Sequence, residues 1–470
     1  MQRWQVPGLA IAIVKDGKIV VAKGYGVKEF GKNEPVNEYT LFQIASNSKA
    51  FTGTAIALLD YQKKILLDEK VTTYLPDFRL YDDCTTQLCT VRDLLCHRIG
   101  LQTFQGDFLN WGSTLTRKEI INKIRDNKPQ YSFRSKYGYC NSSFVTAGEL
   151  IPAVTDTSWD AFLRVHFFEP LQMQLTNTSY KKMLNDKNAC TPHTLVDGKL
   201  VTIPLKNIEN LGPSASINSN VRDMANWILM QLDSGKFNGK QILPWKVLQE
   251  TRKSQMLVND VSSKTFKTMN FSTYGLGWFI GDFEGRKIYS HSGGSNGFVT
   301  KTDFIPQENL GIIVYTNTDA NSLYDALGKQ IIESYLSLPY RNLSQIYFER
   351  NQKSVETKEQ QLQQWRDTVA QNNTPPLKLQ HYTGTYRNTL YGDIDIRLEK
   401  GKLHIYFSHH PDNIGKLEYM KDNKFLCTYS DVTCGVQVTP FSIKDGKVES
   451  VTIKVEDFID YLSYDFVKIK

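Results

Sequence analysis

The sequence reads as an α/β protein of the α+β kind: an antiparallel sheet with helices packed on it and a helical insertion, followed by a separate all-β barrel or sandwich. Three observations predict this. Strand-like runs open and close the first 340 residues with helical patterns between them, which is not the βαβα alternation of a doubly wound fold. Residues 341–373 are polar and Gln-rich and read as one connecting helix, and Asn372-Asn373-Thr374-Pro375-Pro376 is a linker. From residue 380 onward, short alternating strands recur at turn spacing. The division is therefore 1–340, a connector over 341–376, and 377–470.

In chain order, Leu9–Val14 and Lys18–Ala22 are apolar, β-branched runs around Asp16-Gly17, a hairpin signal over residues 7–29. A loop rich in Gly, Asn and Pro follows, then the apolar helical run Phe51–Lys63, with Phe51, Ala55, Leu58 and Leu59 on one stripe. Residues 117–126, 143–154 and 159–168 read as helices. Leu211–Ser219 is a small-residue loop leading into an amphipathic helix, Val221–Leu232, closed by Asp233-Ser234-Gly235. Strands return at Gly275–Gly281, Lys287–His291, Gly297–Ile305 and Leu310–Thr316, and a helix runs from about Asn321 to Ser337. The C-terminal part shows strands at Gly384–Tyr386, Asp393–Leu398, Lys402–Phe407, Lys424–Tyr429, Val436–Ile443, Val448–Val455 and Asp460–Val467.

Composition narrows the function. At 470 residues the chain exceeds one ordinary core. A hydrophobic content of 40% places it among globular chains. The net charge of +7 is spread over 56 basic and 49 acidic residues with no basic block, which argues against a nucleic-acid partner. No apolar stretch reaches the length of a membrane span. The seven cysteines and the histidines form no zinc spacing, so no metal or other cofactor is expected. Cys84 with Cys89 and Cys427 with Cys434 are close enough for local bridges, but scattered buried thiols are the simpler reading. The N-terminus carries no signal-peptide pattern and enters a strand almost at once, so the expectation is a cytoplasmic protein or a processed or truncated chain.

Three stretches carry chemistry. Ser46-Asn47-Ser48-Lys49 precedes the first apolar helix. If Ser46 opens that helix, Lys49 lies one turn later on the same face and can take its proton, provided burial or nearby positive charge depresses the lysine pKa. Tyr139-Cys140-Asn141 offers a phenol that can shuttle protons and an amide that can orient a carbonyl or the lysine. His291-Ser292-Gly293-Gly294 ends a strand, where glycine lets a substrate approach the backbone and a histidine can hydrogen-bond or carry charge. Each stretch alone also reads as ordinary structure: an N-cap serine before a solvent lysine, an aromatic loop, a turn.

Together, in this order, the three resemble the motifs of the penicillin-recognising serine hydrolases: class C β-lactamases, low-molecular-weight penicillin-binding proteins, related esterases and D-aminopeptidases. Val6-Pro7-Gly8-Leu9-Ala10, Gly24-Tyr25-Gly26, Asp93-Leu94-Leu95-Cys96-His97, Gly100-Leu101 and Tyr274-Gly275-Leu276-Gly277-Trp278 resemble the same family. The resemblance covers about residues 3–340. Residues 377–470 are similar to the small, lipocalin-like barrel that often trails this hydrolase domain. The resemblance implies a β-lactamase/transpeptidase-like fold and hydrolysis of amide or ester bonds through an acyl-Ser46 intermediate. Lys49 and Tyr139 would share the proton transfers and Asn141 would position Lys49 and the substrate amide. The backbone N–H groups of Ser46 and Gly294 would form an oxyanion hole beside Ser292 and Gly293. His291 would stand where the family usually carries lysine, holding a substrate carboxylate less firmly. The substrates implied are a β-lactam, a D-amino-acid peptide or a small ester. A silent cell-wall-peptide or penicillin-binding protein is the alternative outside catalysis. The family's N-terminal helix is not seen here, so the resemblance implies a chain cut back by a leader and a helix, and a periplasmic or secreted place follows from the resemblance alone.

Overall fold

The structure is a computed structural model that describes all 470 residues. Its first part is built on an eight-stranded antiparallel sheet. The strands are β1 (Gly8–Lys15), β2 (Lys18–Gly26), β3 (Met256–Asn259), β4 (Ser272–Tyr274), β5 (Phe279–Phe283), β6 (Arg286–Ser295), β7 (Phe298–Ile305) and β8 (Leu310–Thr316). They lie in the order β2-β1-β8-β7-β6-β5-β4-β3. In β1 alternate residues point to opposite faces, and both faces are apolar. Leu9, Ile11 and Ile13 pack in one buried cluster with Ile312, Val314, Leu323 and Ile332. Ala10, Ala12 and Val14 pack in another with Ile313, Tyr315 and Trp227. The first cluster is covered by helix α4 (Leu323–Tyr335) and the start of α5 (Leu343–Ala370). The second is covered by α1 (Ser48–Tyr61), α2 (Asn141–Thr155) and α3 (Val221–Leu232).

Four local expectations change. The strand read over Gly275–Gly281 is two strands, β4 and β5, parted by a bend at Gly275–Trp278. The bend brings Gly277 (φ +90°) so close to α1 that a Cβ there would meet the Lys49 carbonyl at 2.4 Å. The loop read over Leu211–Ser219 contains a helical turn, Gly212–Ala215, and a short strand, Asn218–Ser219. The strand read over Asp460–Val467 starts only at Tyr464; Lys454–Ser463 is a loop. Ser46 does not open α1 but sits in a 3₁₀ turn, Ala45–Asn47, just before it. All seven cysteines are free thiols, as the scattered-thiol reading expected.

The C-terminal part is a closed antiparallel barrel of eight strands: β9 (Gly384–Asn388), β10 (Gly392–Glu399), β11 (Lys402–Phe407), β12 (His410–Tyr419), β13 (Lys424–Tyr429), β14 (Val436–Lys444), β15 (Lys447–Ile453) and β16 (Tyr464–Lys468). The sequence reading found seven of these and missed β12. Its Pro411, Asp412, Asn413 and Gly415 are poor strand formers, yet pairing with β11 and β13 on both sides holds it extended. The barrel docks on the loop Phe104–Leu115. Lys123 Nζ donates to the Leu390 carbonyl at 2.9 Å, His410 Nε2 bonds the Phe108 carbonyl at 2.8 Å, and Lys206 pairs with Asp431 at 2.7 Å. The Phe108 ring stacks on His410 at 4.2 Å.

Candidate active site

The first helix begins beneath the sheet edge because the turn before it is pinned. Asn47 Nδ2 donates to Thr300 Oγ1 at 2.9 Å, and Thr300 Oγ1 donates to the Ile44 carbonyl at 3.0 Å, stapling the turn to β7. Ala45 adopts φ +45°, a conformation that non-glycine residues rarely take. Within residues 41–50 only Ser46 is partly open to solvent. The spacing of three residues across a tight turn stacks Lys49 on Ser46, with Lys49 Nζ 3.2 Å from Ser46 Oγ.

Lys49 is fully buried. Its amine has three polar neighbours: Ser46 Oγ, Asn141 Oδ1 at 2.6 Å and the Ser214 carbonyl at 3.0 Å. None is an anion. Burial therefore pulls its pKa down to about 7, with Asp107 and Cys140 pulling the other way. The Tyr139 ring lies 4.5 Å from Lys49 Nζ, and Ser46 is close enough to pull its pKa down against burial. Burial raises Tyr139 far above the phenol range, so it keeps its proton. Asn141 is the first residue of α2; its Nδ2 donates to Asp107 Oδ2 at 2.5 Å, which fixes the amide with its oxygen toward Lys49.

The third predicted stretch forms the opposite wall. Strand β5 pairs with β6 only as far as Ser290, so Ser292–Ser295 have no strand neighbour on that side. Gly293 packs directly on the Ser46 turn: a Cβ there would meet the Ile44 carbonyl at 2.1 Å, so only glycine fits. Ser292 and Gly294 are partly open. Of the two roles open to His291, its surroundings fit hydrogen bonding. It is 1% exposed, bonds Tyr274 Oη through Nε2 at 3.0 Å and the Ser292 carbonyl through Nδ1 at 2.7 Å. Burial and the neighbouring Lys49 push its pKa down to about 3, so the ring is neutral and carries no charge for a carboxylate. Lys301 lies across from Ser292 on β7 and is engaged by Asp303 and Asp325.

Residues 1–336 match the beta-lactamase family model, and residues 369–468 match a domain of unknown function, DUF3471. The chain belongs to the beta-lactamase family. Among curated relatives of this beta-lactamase-family chain, the protein flp of Staphylococcus aureus (strain MW2) is 26% identical over 339 residues, which are 71% of this chain and 64% of the relative. The chain thus spans under two thirds of that protein's length. The unguisins hydrolase ungD' of Aspergillus campestris is 26% identical over 425 residues, 86% of this chain and 77% of the relative. The structure of the octameric penicillin-binding protein homologue from Pyrococcus abyssi superposes with a TM-score of 0.63 at 22% identity. The match covers 99% of this chain and 97% of that one, so the two share the fold over hydrolase-like part and barrel alike.

Sequence reasoning missed four groups that complete this beta-lactamase-family site. The Ser214 carbonyl has no side-chain signature. Asp107 belongs to none of the motifs but is fully buried against Asn141. His97 stacks on Tyr139 with ring centroids 4.4 Å apart and accepts from the Cys140 N–H at 3.0 Å. The barrel contributes Phe458, whose ring stands where a Cβ on Gly294 would be, 2.8 Å from it. Beyond Phe458 and Trp111 a cavity of about 1210 Å³ opens between the two parts, lined by residues that include Asn296, His410 and Asp431.

Proposed function

We propose that the chain is a serine hydrolase that cleaves ester or amide bonds through an acyl-Ser46 intermediate. One observation carries the reading. A neutral amine has two N–H donors and one lone pair. At Lys49 two neighbours, Asn141 Oδ1 and the Ser214 carbonyl, can only accept, which leaves the lone pair for the Ser46 hydroxyl. Lys49, held near neutrality, is the general base that takes the Ser46 proton in acylation, and the Tyr139 hydroxyl relays that proton on to the leaving group, receiving one from Lys49 as it gives one up. The free edge of β6 aligns the acyl chain, and the N–H groups of Ser46 and Gly294 face the developing oxyanion, each such donor contributing about 10²–10³-fold. A relative named as a hydrolase supports the reading.

The substrate side follows from charge. His291 is neutral and Lys301 is paired, so neutral esters and amides are favoured over β-lactams, whose carboxylate finds no cation here. The test is a labelling gel with a fluorophosphonate and a fluorescent penicillin, with Ser46→Ala as control, followed by p-nitrophenyl butyrate beside nitrocefin. Labelling lost in Ser46→Ala, with the ester turned over faster than nitrocefin, is the expected result. Equal labelling of the variant removes Ser46 as nucleophile, and a folded protein that takes up no label returns the chain to a silent binding role.

A further inference from the structure

The loop that orients Asn141 is held from the barrel. Asp107 Oδ2 accepts from Asn141, and Asp107 Oδ1 accepts from Asn110 Nδ2 at 3.1 Å. On the other side of the same loop, Gly106 N–H donates to Tyr464 Oη at 2.8 Å and Phe108 N–H to Asp460 Oδ2 at 3.4 Å. Asp460 is fully buried in the loop Lys454–Ser463 and also accepts from Tyr391 Oη at 2.5 Å, Leu462 N–H at 3.1 Å and Tyr464 Oη at 3.2 Å. Two carboxyl groups, one from each part of the chain, are thus buried against one short loop, one amide away from Lys49.

We propose that Asp107 is a positioning residue for the Asn141–Lys49 pair, and that the barrel sets its charge through Asp460. The claim rests on Lys49 being the base for Ser46. An ionised Asp107 stabilises a protonated Lys49, and an ionised Asp460 stabilises a protonated Asp107. Burial, then Asp460, holds the Asp107 carboxyl up near 8. The other titratable groups facing the pair are the Cys140 thiol and Tyr139 at the start of α2, His97 and His291 behind the lysine, and Tyr391 and Tyr464 on the barrel side. The barrel is in this way part of the proton economy of the site, not only a docked neighbour.

The test reads the rate of Ser46 labelling by a neutral fluorophosphonate from pH 5 to 9 in the full chain, for wild type, Asp107→Asn, Asp460→Asn and the double variant. Removing Asp460 frees Asp107 to ionise, so the midpoint rises by roughly half a unit or more. Removing Asp107 does not raise it, and the double variant follows Asp107→Asn. Tyr391→Phe, which takes one donor from Asp460 and leaves the ring, moves the midpoint the same way as Asp460→Asn by less. The proposal is overturned if Asp460→Asn has no effect on the midpoint, or the same effect with and without Asp107. A readout independent of labelling separates this from failure of the hydrolase reading. Asp107 keeps its proton in the folded state to a higher pH than in the unfolded chain, so wild type loses stability as pH rises from about 4 to about 8. Asp107→Asn should therefore gain in Tm on its parent across that window, and gain less when Asp460 is already Asn. Equal gains in both backgrounds overturn the coupling even in a protein that never labels.

Discussion

Two buried lysines on neighbouring elements of this molecule have opposite fates. Lys301 on β7 is drawn down by burial, but Asp303 at 3.7 Å and Asp325 at 3.0 Å outweigh it, and its pKa ends above the ordinary lysine value. Lys49, more fully enclosed, faces a hydroxyl, an amide oxygen and a peptide carbonyl, and falls to about 7. Burial is common to both; the charge of the acceptors differs. Neutral acceptors satisfy the amine's N–H groups without stabilising its extra proton. That is how the fold keeps Lys301 as a permanent cation that pins β7 to α4, and Lys49, on α1, as a base.

The contrast predicts a crossed result. Lys49→Met should cost about 10²–10⁴-fold in turnover, the usual contribution of a general base, while leaving Tm level or higher. The buried amine is protonated in the unfolded chain up to about pH 10.5, but in the fold only up to about 7. Wild-type stability from this group therefore rises between those pH values, and any Tm gain of Lys49→Met should be largest below pH 7 and fade toward pH 10. Lys301→Met should do the reverse. It strands Asp303 and Asp325 and should cost about 3–5 kcal/mol in denaturant unfolding, with turnover of the folded protein within a few-fold of wild type. If both substitutions lower activity alike at full folding, the two lysines are not distinguished by their acceptors.

A second variant moves one lysine toward the other. Asn141→Asp places a carboxylate where Lys49 has an amide oxygen. Its pKa should climb by about 1–3 units, as for a group gaining an opposite charge at contact distance. Ser46 labelling at pH 7 should drop by about 10–100-fold and recover at pH 9. A loss that alkaline pH does not recover would mean that Asn141 acts by geometry rather than by being neutral.

Wild type itself supplies the third, smaller test. A base with a pKa of about 7 makes labelling rise about tenfold between pH 6 and 8, by the titration of one group. A profile flat across that interval would place the base elsewhere.

How much of this was legible in the sequence depends on distance along the chain. Ser46 and Lys49 are three residues apart, Tyr139 and Asn141 two, and a local pattern survives in such spacings. The strands β1, β2 and β8 were legible because each carries a run of apolar, β-branched residues. What escaped has no local pattern. Ser214 acts through its carbonyl, which every residue has. Asp107 falls in no motif, and Asp460 was placed in a strand; both are buried where the barrel docks. β12 was hidden by Pro411, Asp412 and Asn413, whose extended shape is imposed by neighbours. The helical start imagined for Ser46 failed for a related reason, since Ala45 at φ +45° is held by contacts to β7 that no propensity describes.

His291 gives the smallest effect and the sharpest use of the contrast. The resemblance put His291 where the family usually carries lysine, as a weaker grip on a substrate carboxylate. The ring instead lies among Tyr274, Phe279 and Tyr139. With Nδ1–H donating to the Ser292 carbonyl, Nε2 is left to accept from the Tyr274 hydroxyl, which burial keeps protonated. The side chain is an acceptor in a wall, with a pKa far below the working range. His291→Gln keeps an acceptor for Tyr274 and should lower kcat/KM by no more than about tenfold, the scale of one neutral hydrogen bond at about 0.5–1.5 kcal/mol. The midpoint near pH 7 should stay in place, because a neutral ring contributes nothing to the proton affinity of Lys49. His291→Lys should be the worse variant: a second buried amine there finds no anion, is driven neutral like Lys49, and cannot grip a carboxylate. Parallel measurement of p-nitrophenyl butyrate and nitrocefin on the three proteins decides it. A midpoint that moves in His291→Gln, or a selective gain for nitrocefin in His291→Lys, would show that this position carries charge in the working enzyme.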